Sequence, residues 1–201
     1  MRSATLLWPA ALLGTAGCFG GGAVDLRYRP SGTAVSLSHE GTPAFYIVRV
    51  DERAGGIVLA AGERPKLLLK RPVQESLREA LTVELGRLGL PAAKELDKAD
   101  ARLSAAIGGE ITDQSRSYSA AVGLVRLTIS LSIEDRRGAP LWEGELKGVG
   151  DIAKTGSVAA AANAALADAM AGLGPLLTQD RVVARIFSAR ADQEPHRRQG
   201  Q

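Results

Sequence analysis

Apolar and polar side chains alternate along several stretches of the chain, with the period of two that is typical of strands with one buried face. The longest alternation covers 122–133, where aliphatic residues at odd positions alternate with polar ones. A second covers 100–112, and residues 141–149 follow a turn at 135–140 as a partner strand. Sheets with one solvated face are commonly antiparallel, so these three stretches predict an antiparallel meander.

A further strand is predicted at 44–50, which is rich in aromatic and β-branched residues. Residues 51–56 (DERAGG) are polar and contain two glycines, and they predict a loop after which 57–60 could add a small strand. Residues 23–28 and 34–38 are candidates for the first strands of the fold.

Two helices are indicated by a period near 3.6. The first begins at Pro72 and places leucines of 77–88 on one face. Ser157 can cap the second helix, which runs through an alanine-rich stretch to about Leu173. Residues 176–187 could continue as a last helix.

The order of these elements predicts an α+β domain over 44–188, in which an antiparallel sheet carries two main helices on one face. Residues 189–201 are polar and basic without periodicity, so we expect a disordered tail there. Residues 18–43 are assigned to the N-terminus of the mature chain, a linker and possible first strands.

The first 17 residues have the features of a secretory signal peptide. Arg2 precedes an apolar run over 4–13 that is too short to span a bilayer, and small residues lead to Cys18, the single cysteine of the chain. This arrangement resembles a bacterial lipobox, although Thr15 stands where leucine is usual. The alternative is an ordinary secretory peptide that leaves Cys18 as an unpaired thiol.

The lipobox resemblance implies that Cys18 receives a diacylglyceryl group and becomes the N-terminus after cleavage, with acyl chains such as palmitate attached. Two or more acyl chains anchor a protein stably to a membrane surface. Residues 19–22 (FGGG) predict a flexible leash. Because Phe19 rather than Asp follows the cysteine, the enterobacterial sorting rule favours the outer membrane, facing the periplasm, in a Gram-negative cell.

Composition and motifs give no indication of a reaction. Hydrophobic residues make up 45% of the chain, as in a globular protein, and the net charge of +3 is dispersed rather than concentrated for nucleic-acid binding. His39 and His196 have no second ligand at metal-binding spacing, and neither a nucleophile elbow nor a phosphate-binding glycine motif is present in the sequence. We therefore expect no enzyme activity, no metal and no cofactor.

Asp51 and Arg53 are the candidate binding residues, because they follow a predicted central strand in a polar loop near which Arg71 could also lie. They form either a local ion pair or turn cap, or a loop that docks a partner. The polar side chains of 126–132 form either a solvated sheet face or a contact with another subunit.

The order of these features is similar to that of the YajG-type family of small bacterial lipoproteins and, more distantly, to the auxiliary lipoproteins of envelope ABC transporters. Besides the lipobox, the shared features are a strand that ends in Asp51-Glu52-Arg53, a helix with LREALTVELGRLGL at 77–90, a strand entered at 99–100, and a long hairpin. The similarity covers about residues 44–178.

The resemblance implies a fold and a location, and we expect a membrane-anchored, non-enzymatic lipoprotein that binds or supports another cell-envelope component, either a different protein or a second copy of itself. The alternative is an accessory lipid-handling subunit of an envelope ABC transport system. That function would need an apolar groove between helix and sheet that side chains leave unfilled.

Overall fold

The computed structural model describes residues 23–30, 32, 36–37, 42–59, 69–113 and 123–198, without the side chains of 55, 58, 59, 113 and 192–198. Cys18, the signal peptide of 1–17 and His39 lie outside the described residues, as does most of the candidate strand 34–38.

Within the described residues, four strands form one sheet and lie side by side in sequence order. They are β1 (Phe45–Leu59), β2 (Ala101–Asp113), β3 (Gly123–Asp135) and β4 (Pro140–Asp151). The last three pair as the antiparallel meander that their alternating side chains predict. The predicted α+β class is confirmed.

The sheet is mixed, because β1 pairs with β2 in the parallel direction. Helix α1 (Val73–Arg87) lies in the connection between them, and parallel neighbours need a crossover of this kind. The prediction of a wholly antiparallel sheet is therefore wrong at β1. A strand–helix–strand order returns the chain to the end of the sheet where it started, so the second strand runs in the same direction as the first.

Strand β1 continues through residues 51–56, so the predicted loop is wrong, and the small strand expected at 57–60 is the end of β1. The pairing with β2 shifts between Glu52, opposite Ile107, and Ile57, opposite Gly109. Four residues of β1 thus lie opposite Gly108 alone. The polar, glycine-containing stretch is a bulge with several extra residues in an edge strand, where they do not interrupt the sheet.

Among the residues that the structure describes, four helices follow the sheet: α2 (Ile152–Thr155), α3 (Val158–Ala171), α4 (Leu173–Gln179) and α5 (Val182–Arg198). The cap expected at Ser157 is present, since its hydroxyl accepts a hydrogen bond of 3.1 Å from the backbone N–H of Ala160. The prediction of a disordered tail from residue 189 is wrong as far as Arg198, because α5 extends there.

Helix α3 packs on β4 without intervening side chains. A Cβ on Gly150 would lie 1.8 Å from the carbonyl oxygen of Ala161, so only a glycine permits this approach. Residues Val158–Gln179 are long and apolar enough to cross a membrane by length and composition, but half of that stretch is buried within the protein. Contact with the sheet accounts for its apolar character.

The segment 23–30, called here the N-terminal segment, belongs to the folded domain rather than to a linker. Val24, Leu26 and Tyr28 are buried, while the residues between them point outward. The strand proposed for 23–28 is reduced to a single bridge between Val24 and Leu69. The sequence pattern was too short to show that these three side chains complete the core.

Candidate functional site

One face of the sheet carries the helices, and the other, called here the open face, is left without a helix among the described residues. Side chains point alternately to the two faces of a strand, so the polar positions of all four strands collect on the open face. They surround a depression of about 610 Å³. The polar side chains that line it are Arg49, Asp51, Ser104, Ser130, Ser132, Glu143 and Glu145.

The floor of this depression consists of small side chains from the two central strands. Ser104 and Ala106 come from β2, and Ser130 and Ser132 come from β3. The walls are charged: Arg49 and Asp51 form an ion pair on β1, while the carboxylates of β4 stand on the other side. Small hydroxyl groups between charged walls allow another surface to approach closely and form hydrogen bonds.

Arg53 connects the two edges of the sheet across the open face. Its side chain lies over Gly108, where a Cβ would be 3.0 Å from the Cβ of Arg53. Its Nη2 then donates a 2.8 Å hydrogen bond to Oε1 of Glu145 on β4. The absence of a side chain at Gly108 therefore provides the path by which a β1 residue reaches β4.

Glu145 is held ionised by its neighbours on this face. The hydrogen bond from Arg53 is the largest influence, and together with the charges of Arg53 and Lys147 it lowers the pKa of the Glu145 carboxyl group. The hydroxyl of Ser130 donates a further, longer hydrogen bond of 3.4 Å to the same oxygen. The Arg53–Glu145 ion pair is thus held in place by residues of β1, β3 and β4.

The structure brings together both residues singled out from the sequence, but on a strand instead of a loop. Asp51 and Arg53 lie on β1 and pair with Arg49 and Glu145. Arg71 is placed elsewhere: it bonds Glu79 and the backbone carbonyl of Leu26 on the helical side. Each residue therefore has a different ion-pair partner on the open face, and a docking role for Asp51 and Arg53 stays a prediction.

Sequence reasoning missed the contributions of β4 to this site. Glu143 and Glu145 alternate with core-facing residues of β4, and Glu145 pairs directly with Ser130 of the neighbouring strand. The signal was present in the hairpin, because its turn sets the register and thereby places these carboxylates beside the serines. What the sequence could not show is that β1 reaches the same surface.

The chemistry available on the open face is hydrogen bonding and ion pairing. Within the part of the chain that the structure describes, no three His, Cys, Asp or Glu side chains are grouped in a way that could hold a metal ion. The space between helices and sheet is filled where the described residues meet, since Leu77, Leu81, Ile129 and Leu166 have no exposed surface. The lipid-handling alternative, which needs an apolar groove between helix and sheet, stays a prediction.

A second polar cluster fastens the N-terminal segment to α1. The hydroxyl of Tyr28 donates a hydrogen bond to the buried carboxylate of Glu84, which also accepts one of 2.8 Å from Arg87. Burial, followed by the contact with Glu84, raises the pKa of Tyr28 to about 12. The protonated tyrosine therefore serves as a hydrogen-bond donor that links two parts of the fold.

No family model matches the chain, and no curated protein matches it. Among solved structures, the protein XCC0632 from Xanthomonas campestris, of family DUF330, is 13% identical, with a TM-score of 0.50 over 86% of this chain and 97% of that one. The hypothetical protein CT253 from Chlamydia trachomatis is 12% identical, with a TM-score of 0.48 over 74% of this chain and 99% of that one.

A minor lipoprotein from Acinetobacter baumannii is also similar, with 14% identity and a TM-score of 0.39 over 66% of this chain and 94% of that one. Similar structures thus include a bacterial lipoprotein, while a specific relation to the YajG-type family stays a prediction. At 13% identity, the likeness to XCC0632 shows a shared fold: the chain has the architecture of that DUF330 protein.

Proposed function

We propose that this chain is a non-enzymatic lipoprotein of the bacterial cell envelope, anchored through Cys18 to the outer membrane and facing the periplasm. Its domain binds another envelope protein through the open face of the sheet. The anchor is supported by the signal-peptide features of 1–17 and the lipobox-like residues before Cys18. The binding role is supported by the geometry of the open face.

The observation that carries the binding role is the Arg53–Glu145 bridge across an uncovered sheet face. Strands hold these charges in fixed positions, so a partner would meet a preformed pattern of charges and hydroxyl groups. Complementary charge patterns of this kind select partners and increase the rate of association. The depression suits a protrusion of a partner protein better than a flat surface.

One carboxylate of the open face, that of Glu143, favours a partner with a basic group. Around the depression, the carboxylates of Asp51, Glu143 and Glu145 stand against the cationic groups of Arg49, Arg53 and Lys147, so the charges balance. Glu143 takes part in none of the ion pairs formed among the described residues, and its side chain is exposed. A lysine or arginine of the partner can pair with it.

The anchor is tested by metabolic labelling with an alkyne fatty acid. We expect label on the wild-type protein and none on the Cys18→Ala variant, because the thiol is the attachment atom for the diacylglyceryl group. Label that persists on the variant, or is missing from both proteins, would remove the lipid anchor from the proposal.

The docking surface is tested with a photo-crosslinking amino acid at Ser132, on the open face, in intact cells. The matched control carries the same amino acid at Val83, an exposed position on α1. We expect a discrete adduct from position 132 alone, which Glu143→Lys weakens. An adduct of twice the chain mass would identify a second copy as the partner. Equal adducts from both positions would contradict docking on the open face.

A further inference from the structure

The N-terminal segment is fixed on the helical side of the domain by contacts to two helices. The backbone N–H of Arg27 donates a 2.7 Å hydrogen bond to Asn163 of α3, whose amide donates one of 3.3 Å to the carbonyl of Asp25. On the other side, Tyr28 bonds Glu84 of α1. Because Val24, Leu26 and Tyr28 are also buried, this segment cannot leave the domain without disrupting the core.

The distance from the lipid anchor to this segment is limited by chain length alone. Cys18 and Val24 are six residues apart, and a fully extended chain spans at most about 3.6 Å per residue, or roughly 20 Å in total. The limit holds for any conformation of the residues between them. A lipid-modified Cys18 would therefore keep Val24 close to the bilayer surface.

The open face lies on the opposite side of the sheet from the N-terminal segment. Helices α1 and α3, which hold the N-terminal segment, pack on the other face of the sheet, where the carbonyl of Ala161 approaches Gly150. A short leash from the helical side leaves the domain little freedom to turn its open face towards the lipids. The binding surface then points away from the membrane.

The surface around the N-terminal segment has the charge expected for contact with anionic headgroups. Arg27 and Arg29 point outward from the segment, and the exposed Lys70 lies beside it, with its backbone N–H bonded to the carbonyl of Val24 at 2.9 Å. With Arg71 there are four cationic groups here, and three carboxylates lie among them or on the same stripe of α1, those of Asp25, Glu75 and Glu79. This surface therefore keeps one positive charge in excess.

From these observations we infer that the surface formed by the N-terminal segment and the adjoining face of α1 rests on a bilayer with anionic headgroups, so that the open face points into the periplasm. Basic residues near a membrane are attracted by its negative surface potential. Val83 is an exposed apolar residue on the same helical stripe as Glu79, which pairs with Arg71, and Arg87, which bonds the hydroxyl of Tyr28 in the segment. This inference rests on the proposed anchor at Cys18.

The test uses the full lipidated chain in vesicles of phosphatidylethanolamine and phosphatidylglycerol. Since Cys18 is the single cysteine and carries the lipid, Val83→Cys and Ser132→Cys each create a unique site for a fluorescent donor. Energy transfer to an acceptor on lipid headgroups reports the distance of each site from the bilayer. We expect at least twofold higher transfer efficiency at position 83 than at 132. Equal efficiencies, or a higher value at 132, would overturn the proposed orientation.

The role of charge is tested by Arg27→Glu combined with Arg29→Glu, with Arg126→Glu on the open face as the matched control. We expect the paired substitution to reduce the difference between the two donor sites and the control to leave it unchanged. An unchanged difference in the paired variant would overturn the cationic contact. The intact mass of the chain before reconstitution separates the two proposals. A chain without lipid would contradict the anchor at Cys18, whereas a lipidated chain with the wrong orientation would contradict only this inference.

Discussion

Gly148 of β4 lies directly against the backbone of α3 at Ala165: a Cβ on Gly148 would stand 2.0 Å from the Ala165 carbonyl oxygen. The obstacle is main chain, so a small rotation of a side chain cannot relieve it. Gly148→Ala must move the helix away from the sheet. We expect it to lower the free energy of unfolding by about 3 kcal/mol, the upper part of the range for overpacked cores. Urea denaturation measures this loss as a lower midpoint.

Gly86→Ala is the matched control for this substitution. Gly86 lies on the exposed side of α1, and a Cβ there would meet no atom within 4 Å. Alanine in such a helix position stabilises by about 0.5–1 kcal/mol relative to glycine. If Gly148→Ala were tolerated as well as Gly86→Ala, the direct contact of α3 with β4 would be wrong.

Patterns that depend on one element and its immediate neighbours could be predicted from the sequence. The alternation over 122–133 predicts β3 because one face of that strand is buried along its entire length. The turn after β3 is equally local, since Asp135 accepts two hydrogen bonds of 2.8 Å, from the N–H groups of Arg137 and Ala139. Local hydrogen bonds and burial of this kind determine which residue types occur at neighbouring positions, so they can be recognised from the sequence.

Features that depend on distant residues could not be predicted. Residues 51–56 have the composition of a loop, yet they extend β1 because Arg53 finds Gly108 beneath it and Glu145 at the far edge. The open face was therefore recognised only through its β3 residues. Likewise, α5 begins within the helix predicted over 176–187, whereas its continuation to Arg198 has few apolar residues and was not predicted.

Tyr28 makes the stability of the fold depend on pH in the alkaline range. Its pKa is raised from 10.0 to about 12 in the folded protein, mainly by burial and then by Glu84. Folding thus favours the protonated phenol, and this contribution is complete below pH 10 and is lost as the pH approaches 12. We expect the free energy of unfolding to fall over this interval, more steeply in the wild type than in Tyr28→Phe.

The same substitution has an effect at neutral pH. Tyr28→Phe removes one hydrogen-bond donor from the buried carboxylate of Glu84, while Arg87 continues to donate. Leaving a buried polar group with fewer partners costs about 1–3 kcal/mol. Urea titrations at several pH values measure the free energy of unfolding of the wild type and of Tyr28→Phe. An identical dependence of this free energy on pH in both proteins would show that the Tyr28 phenol does not titrate as the structure indicates.

Ser76 is a position where a substitution should stabilise the protein. It lies on the core side of α1 with no exposed surface, and its hydroxyl has no hydrogen-bond partner among the described residues. Ser76→Ala removes the unsatisfied oxygen, and alanine has the higher helix propensity, so we expect a gain of about 1 kcal/mol. A higher melting temperature would confirm this gain, whereas a clear decrease would reveal a partner for the hydroxyl.

Substitutions in the Arg53–Glu145 ion pair should change partner binding without changing the stability of the fold. Both side chains are 40% exposed, and surface ion pairs contribute little to folding. Arg53→Gln should therefore leave the urea midpoint almost unchanged and reduce crosslinking from Ser132 several-fold, because the pattern of charges that meets the partner is lost. Raised salt should have a similar effect on the wild-type protein, since exposed charges are screened within about 10 Å at 0.1 M.

Exchange of the two charges, with Arg53→Glu and Glu145→Arg in one chain, distinguishes a direct contact from an indirect one. The exchanged pair can still bridge β1 and β4 over Gly108, so we expect a wild-type urea midpoint. If the partner contacts these two charges, crosslinking from Ser132 should be as low as in Arg53→Gln, because each exchanged charge has the wrong sign for its contact with the partner. Recovery of wild-type crosslinking would instead show that the bridge acts only by shaping the open face, and that the partner's contacts lie with other residues of the depression.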